Sequence, residues 1–431
     1  MKVAIYTLGC KVNQYETQAM EQTLRARGHK VVDFSSDADA YVVNTCSVTA
    51  VSDQKSRQVI HRAKRQHPAA VMAVCGCYPQ THAEAVRELE VDLIAGTGDR
   101  EGFVTLLEEA AAGKKRLEAI DKSFERRTFE VLPAGGMEGR TRAMLKIEDG
   151  CVNFCSYCII PYARGPVRSL PLERAVEQTR QLAAEGYREI VLTGIEISSW
   201  GHDLKNGLTL IDLLEALSAA APGVRLRLGS LEPRTVTEDF CRRAAALPEL
   251  CPQFHLSMQS GCDTTLKRMN RKYDTARYLE SVTLLNHWFD RPAVTTDMIV
   301  GFPEETEEEF AASLDFIRRC GFAQMHIFPY SERRGTAASS MPDAVPMEER
   351  RRRAAALAEI TAGSAQDFYQ TQVGTVQMLL VEKKREPDWV RGYTPNYTPV
   401  RVRCTDDRRG ELLPVRITEA GPEGCTGIFA G

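Results

Sequence analysis

The chain has 431 residues, 43% of them hydrophobic and 26% charged, with a formal net charge of −3. That length exceeds what one hydrophobic core usually supports, so several domains are expected. No apolar run approaches the roughly 18 residues of a membrane span, and the charge excludes a uniformly basic nucleic-acid coat while leaving local basic patches open. Met1 leads directly into Val3-Ala4-Ile5-Tyr6 without an export signal, so a cytoplasmic protein with no membrane partner is expected. In that compartment the 13 cysteines read as thiols or metal ligands rather than disulfides, and their spacing becomes the informative feature.

Strand-like runs at residues 3–8, 40–44, 71–74 and 92–95 alternate with helical patterns, which predicts a doubly wound parallel α/β domain over residues 1–115. Cys10, Cys46, and the pair Cys75 and Cys77 follow the first three runs, the edge where open α/β sheets place their ligands. Residues 116–140, entered from Lys114-Lys115-Arg116 and containing Pro133-Ala134-Gly135-Gly136, read as a linker. Six strand-then-helix units follow within 141–345, with strands at 144–147, 189–193, 225–229, 254–257, 295–300 and 325–329. They predict a partial (β/α)6 barrel, open on one side, with its chemistry at the carboxyl ends of the strands. Residues 346–372 carry a helical pattern that would connect the barrel to the tail. Residues 373–431, with short strands at 376–381, 399–402 and 412–417, predict a small all-β barrel.

Directly after the first barrel strand comes Cys151-Val152-Asn153-Phe154-Cys155-Ser156-Tyr157-Cys158. Three thiolates can hold three corners of a 4Fe-4S cluster and leave the fourth iron open to another ligand. A structural zinc site would want a fourth Cys or His close by, and none occurs before Pro161. Cysteines spaced in this way, with an aromatic before the last, resemble the radical S-adenosylmethionine superfamily. That resemblance implies that the open iron binds S-adenosylmethionine and that cleavage of this cofactor yields a 5′-deoxyadenosyl radical.

Leu8-Gly9-Cys10-Lys11-Val12-Asn13, Asn44-Thr45-Cys46-Ser47 and Gly76-Cys77-Tyr78 resemble motifs of the methylthiotransferases. In that family three N-terminal cysteines hold an auxiliary 4Fe-4S cluster that donates sulfur. The likeness extends through Ile160-Pro161-Tyr162-Ala163-Arg164-Gly165, Met258-Gln259-Ser260-Gly261 and Gly301-Phe302-Pro303 to a tail similar to a TRAM domain, an RNA-binding β-barrel. Leu192-Thr193-Gly194-Ile195 and the first motif look most like the branch acting on tRNA N6-threonylcarbamoyladenosine. The resemblance therefore implies two 4Fe-4S clusters, on Cys10, Cys46 and Cys77 and on Cys151, Cys155 and Cys158, with S-adenosylmethionine as methyl donor and radical source. The implied partners are a tRNA anticodon stem-loop, an external electron donor and a sulfur-supply system, met by a monomer. Methylthiolation of a ribosomal-protein aspartate and a non-catalytic iron-sulfur RNA-binding protein stand as alternatives. Pro79, Glu148 and Glu304 depart from the family pattern, where alanine, glutamine and glycine are usual.

Glu196, Ser230 and Gln259 lie just past the second, third and fourth barrel strands and are expected to contact the cofactor. Tyr157 is expected to shield the cluster or pack on the adenine, with core packing as the alternative. Arg164 and Arg168 are expected to bind cofactor carboxylate or substrate phosphate bidentately, with a structural ion pair as the alternative. Cys75 reads as a small buried hydrophobe, and Cys241, Cys251, Cys262, Cys320, Cys404 and Cys425 as buried or incidental thiols. The basic run from Lys55 to Arg65 reads as a solvated helix face or a phosphate contact.

Overall fold

The computed structural model describes residues 1–113, 116–135, 141–382 and 388–430. Its first region interleaves β1 (Lys2–Thr7), α1 (Lys11–Ala26), β2 (Lys30–Val32), β3 (Ala40–Thr45), α2 (Ala50–Gln66) and β4 (Val71–Gly76). Then come α3 (Cys77–Thr81), α4 (Ala83–Arg87), β5 (Leu93–Ala95), α5 (Arg100–Gly113) and β6 (Leu117–Ala119). The six strands form one parallel sheet in the order β2-β1-β3-β4-β5-β6. Every residue of β3 is buried, as expected of a central strand covered on both faces. Met20, Leu24, Phe103 and Leu107 of α1 and α5 cover one face, while Val59, Ile60 and Val86 of α2 and α4 cover the other.

Strand β6 lies inside the segment expected as a linker. Leu117 pairs with Leu93, so the sheet extends one strand further than periodicity suggested. Three residues are too few to display an alternating pattern, and only pairing with β5 defines them. Lys114 and Lys115, which lead into that segment, and its residues 136–140 lie outside the described residues.

The central region begins with β7 (Ala143–Lys146) and β8 (Glu148–Asp149), followed by α6 (Ile160–Arg164), β9 (Arg168–Ser169), α7 (Leu172–Ala184), β10 (Glu189–Thr193) and α8 (Leu210–Ala220). It continues through β11 (Arg225–Leu228), β12 (Ser230–Leu231), α9 (Glu238–Ala245), β13 (Gln253–Leu256), α10 (Asp263–Arg268) and α11 (Thr275–Trp288). It closes with β14 (Ala293–Val300), α12 (Glu307–Cys320) and β15 (Gln324–Pro329). Strands β7, β10 and β11 pair in parallel, as do β12 to β15, and Gly229 divides the third strand between the two sheets. The result is the six-position partial barrel read from the sequence. Leucines and isoleucines such as Ile190, Leu192, Leu226 and Leu256 pack outward under the helices. Alternating with them, Glu189, Arg227, His255 and Asp297 point into the lumen.

Helix α13 (Met347–Gln370) packs Leu357 against this core and leads into β16 (Val376–Val381), β17 (Trp389–Tyr393), β18 (Pro399–Arg403), β19 (Leu412–Gly421) and β20 (Gly424–Phe429). These five strands close a barrel in the order β16-β17-β18-β20-β19 around Leu379, Val390, Val402 and Val415. The segment after β17 seals the amino-terminal end of the larger barrel. Arg225 and Arg227 donate to the carbonyls of Tyr393 and Pro395 at 3.3 and 2.9 Å, and Arg142 lies 4.9 and 5.0 Å from the ring centres of Tyr393 and Tyr397.

Candidate active site: two thiol triads across a domain seam

Cys10 caps the amino end of α1, Cys46 follows β3 and Cys77 opens α3, so the three stand at the carboxyl ends of neighbouring strands. Gly9 permits their approach. At its φ of 110° an added Cβ would lie 2.7 Å from the Cys46 Cβ and 3.0 Å from its Sγ. Asn13, in the first turn of α1, donates to the carbonyls of Leu8 and Thr45 at 2.9 Å each and so ties the Cys10 loop to the Cys46 loop. Burial raises Cys46, and raises Cys77 to about 12, with the neighbouring thiols adding to both shifts. A bound metal would replace those protons. Cys75, one residue before the β4 terminus, is fully buried in the apolar core and faces away from the triad.

The second triad is local. Strands β8 and β9 pair antiparallel, Glu148 with Ser169 and Asp149 with Arg168, and clamp both ends of the loop that carries it. The Cys151 amide donates to the Gly165 carbonyl at 3.0 Å and the Cys158 amide to the Cys155 carbonyl at 2.9 Å. Gly150, at φ 95°, has no room for a Cβ, which would fall 2.0 Å from the Pro166 carbonyl oxygen. Burial lifts Cys151 and Cys158 to about 12. Arg271 was not foreseen from the sequence. Its Nη1 donates to Cys155 Sγ at 3.2 Å and its Nη2 to the Ser257 carbonyl at 3.1 Å, while its guanidinium lies 4.8 Å from the Tyr273 ring centre. It is a cation fixed on a sulfur of this triad, a position from which a protein group would tune a cluster held there.

Among the described residues no three His, Cys, Asp or Glu side chains converge on a single-ion position.

Between the triads runs a buried ionic seam. Glu16 of α1 is wholly buried and pairs with Arg164, with Arg100 at 3.1 Å and with Lys146 at 3.3 Å. Arg164 also donates to Asn13 Oδ1 at 2.8 Å and lies 3.4 Å from Asp149, which in turn meets Lys146 and Arg168. Burial opposes ionisation of Glu16, but Arg164, Arg100 and Lys146 outweigh it and hold the carboxyl at about 2. Of the two readings of Arg164, the structure holds the ion pair: its guanidinium is fully buried and ties α1 to the start of the barrel. A second tie sits on the Cys46 loop, where Arg333 donates to Ser47 and Asp53 at 2.7 Å each, and the Ala50 amide donates to Ser331 Oγ at 3.0 Å.

Glu196, Ser230 and Gln259 all lie at the carboxyl rim of the barrel. Glu196 accepts from the Ser198 amide at 3.1 Å and the Ser199 hydroxyl at 2.6 Å, and its charge is felt at Cys151. Ser230 shares a 2.6 Å hydrogen bond with Ser257. Gln259 adopts φ 69° and bonds through its backbone to Asp297 and Ile299, both at 2.9 Å. Tyr157 packs edge-on against Phe302, with ring centres 6.5 Å apart. Two departures from the family pattern acquire a physical setting. Glu148 is buried and accepts the Glu196 amide at 2.7 Å; burial pushes its carboxyl well above the usual carboxylate range, toward the neutral form that a glutamine would mimic. Glu304 takes φ 62°, a conformation that the usual glycine adopts without strain. In the lumen His255 of β13 lies 3.2 Å from Asp297 and 3.0 Å from Thr295, both of β14, a grouping that the two separate strand patterns gave no way to foresee.

Residues 2–96 match the family described as uncharacterized protein family UPF0004, and residues 145–317 match the Radical SAM superfamily. A threonylcarbamoyladenosine tRNA methylthiotransferase, MtaB, of Bacillus subtilis (strain 168) is 39% identical over 97% of this chain and 94% of its own length. The protein of the same name from Aquifex aeolicus (strain VF5) is 37% identical over 89% of this chain and 94% of its own. Among solved structures, the radical S-adenosylmethionine methyltransferase TsrM from Kitasatospora setae shares the fold, with TM-score 0.56 and 17% identity over 78% of this chain and 75% of that one. Given these full-length likenesses and the two thiol triads joined at one seam, the chain belongs to the radical S-adenosylmethionine methylthiotransferase family.

Proposed function

We propose that the protein methylthiolates C2 of N6-threonylcarbamoyladenosine beside the anticodon of tRNA. Two 4Fe-4S clusters would supply radical generation and sulfur, with S-adenosylmethionine as methyl donor and radical source. Cys151, Cys155 and Cys158 would hold the first cluster and Cys10, Cys46 and Cys77 the second. The observation that carries this reading is the link from Asn13, which joins the Cys10 and Cys46 loops, to Arg164, which follows the second triad. One hydrogen-bonded path thereby fixes both loops relative to each other, as transfer of an atom between two centres requires.

Glu196, Ser230 and Gln259 would orient the cofactor at the barrel rim. The choice of threonylcarbamoyladenosine rests on the names of the two relatives at 39% and 37% identity. A loop adenine can be splayed from its stack without melting a long duplex, which suits an open barrel. The C-terminal β-barrel would grip the RNA.

Cys158→Ala should abolish formation of 5′-deoxyadenosine, whereas Cys46→Ala should leave it intact and stop sulfur insertion. Retained methylthiolation by either variant would sink the mechanism. Nucleoside analysis of tRNA from a strain lacking the gene tests the substrate: unchanged methylthio nucleosides would favour the ribosomal-protein alternative.

A further inference from the structure

On the outer side of the radical-SAM loop three aromatic rings from three separate segments meet in solvent. Phe124, Phe154 and Tyr162 are 45%, 40% and 43% exposed, and Val152 beside them is 56% exposed. Their ring centres are 5.9 to 6.3 Å apart, Phe124 and Phe154 nearly parallel and Tyr162 edge-on to both. Contiguous exposed apolar groups of this kind mark interaction sites. The backbone is committed to the arrangement: Phe154 holds φ 46°, a strained value for an aromatic residue, and its carbonyl accepts from Asn270 Nδ2 at 2.8 Å.

Two cations flank the rings. Arg127 donates to the Phe124 carbonyl at 2.6 Å, and Lys272 donates at 2.7 Å to the Asn270 that holds Phe154. Both are exposed, and among the described residues neither is paired with a carboxylate. Lys122, further out, pairs with Glu125 at 3.1 Å.

Val152 and Phe154 lie between Cys151 and Cys155, so the patch is carried by the same loop as these thiols. Cys155 itself turns toward Arg271, whose guanidinium donates to its sulfur. We propose that the patch is the docking surface for a small acidic one-electron carrier protein. This rests on the reading that Cys151, Cys155 and Cys158 hold a 4Fe-4S cluster. In the step served, the reduced carrier is oxidised by one electron and the cluster is reduced by one; no bond breaks and no proton moves. A small apolar centre rimmed by unpaired charge is the form that weak electron-transfer encounters take. An RNA base is the less suitable occupant, because Tyr162 closes on both phenylalanines and leaves no open slot between the rings.

The test uses the double variant Phe124→Glu/Arg127→Glu, which alters no thiol ligand, with an acidic flavodoxin as carrier. Binding of oxidised flavodoxin, read from its flavin fluorescence, should weaken about tenfold, as should flavodoxin-driven formation of 5′-deoxyadenosine. Dithionite-driven formation and tRNA affinity should stay at the level of the unsubstituted protein. Undiminished flavodoxin binding would overturn the proposal, and weakened tRNA binding in its place would assign the patch to RNA. Loss of the dithionite-driven reaction in the variant would make the patch a support of the loop rather than a docking surface. Failure of the unsubstituted protein with dithionite would overturn the cluster reading beneath it.

Discussion

The two thiol triads are built in opposite ways. Cys151, Cys155 and Cys158 belong to one short loop clamped by a two-residue ladder, so the local chain fixes their mutual placement. Cys10, Cys46 and Cys77 come from three strand ends up to 67 residues apart in sequence, and meet only because β1, β3 and β4 are neighbours in a parallel sheet. The second set therefore depends on the whole α/β domain and on the seam that presses it to the barrel, whereas the first needs little beyond its own loop. The electrostatics differ as well. Arg271 stands on a sulfur of the local triad, while the distributed triad is supported through Asn13 and Arg164.

That contrast can be broken most severely at the seam. Arg164→Met removes the cation shared by Glu16, Asp149 and Asn13, and should cost about 3–5 kcal/mol in denaturant unfolding, the range for breaking a buried pair. Sulfur insertion should fall further than cofactor cleavage in whatever folds. Equal loss of both would show that the two triads do not depend differently on the seam.

Gly9→Ala is the narrower test. Its Cβ would collide with Cys46, an overpacking expected to cost about 1–3 kcal/mol. After anaerobic reconstitution iron should drop from about eight to about four per chain, with the local triad still loaded. A full complement of iron would show that the Cys46 loop gives way to the added methyl and that Gly9 is not needed for the three thiols to approach.

Arg271→Met should act on the local triad alone. Loss of a cation and a hydrogen bond at Cys155 should make that cluster harder to reduce, lowering its midpoint by about 60 mV, a tenfold effect for one electron. An unchanged midpoint in a redox titration would remove Arg271 from the tuning role.

The smallest effect is expected at Glu148. Its carboxyl is raised by burial, then by Asp149 and Glu196, so the folded state holds a proton that the unfolded chain releases above about pH 4.3. Stability from this group is present below that pH and falls as pH rises toward the folded value. Glu148→Gln should therefore flatten the decline, and stability profiles of the two proteins should converge at low pH. Parallel profiles across the range would show that Glu148 is ionised when folded.

The amino-acid sequence by itself determined a good deal. Six barrel strands were legible because each is a short strand-like run followed by a helical pattern, and the local triad because its spacing lies within eight residues. The position of Cys10, Cys46 and Cys77 at strand ends was legible too, since a parallel sheet brings such ends together. In the tail, β17 and β20 were missed, their glycines interrupting the pattern that identified β16, β18 and β19. What only the tertiary structure decided was partnership. Arg164 resembled a cofactor ligand until Glu16, 148 residues away, proved to be its counter-ion, and Arg271 gave no signal because its target sulfur is 116 residues distant. The physical reason is the same in both cases: side-chain period and ligand spacing are encoded along the chain, whereas a buried charge is assigned its role by whichever opposite charge the fold brings within reach.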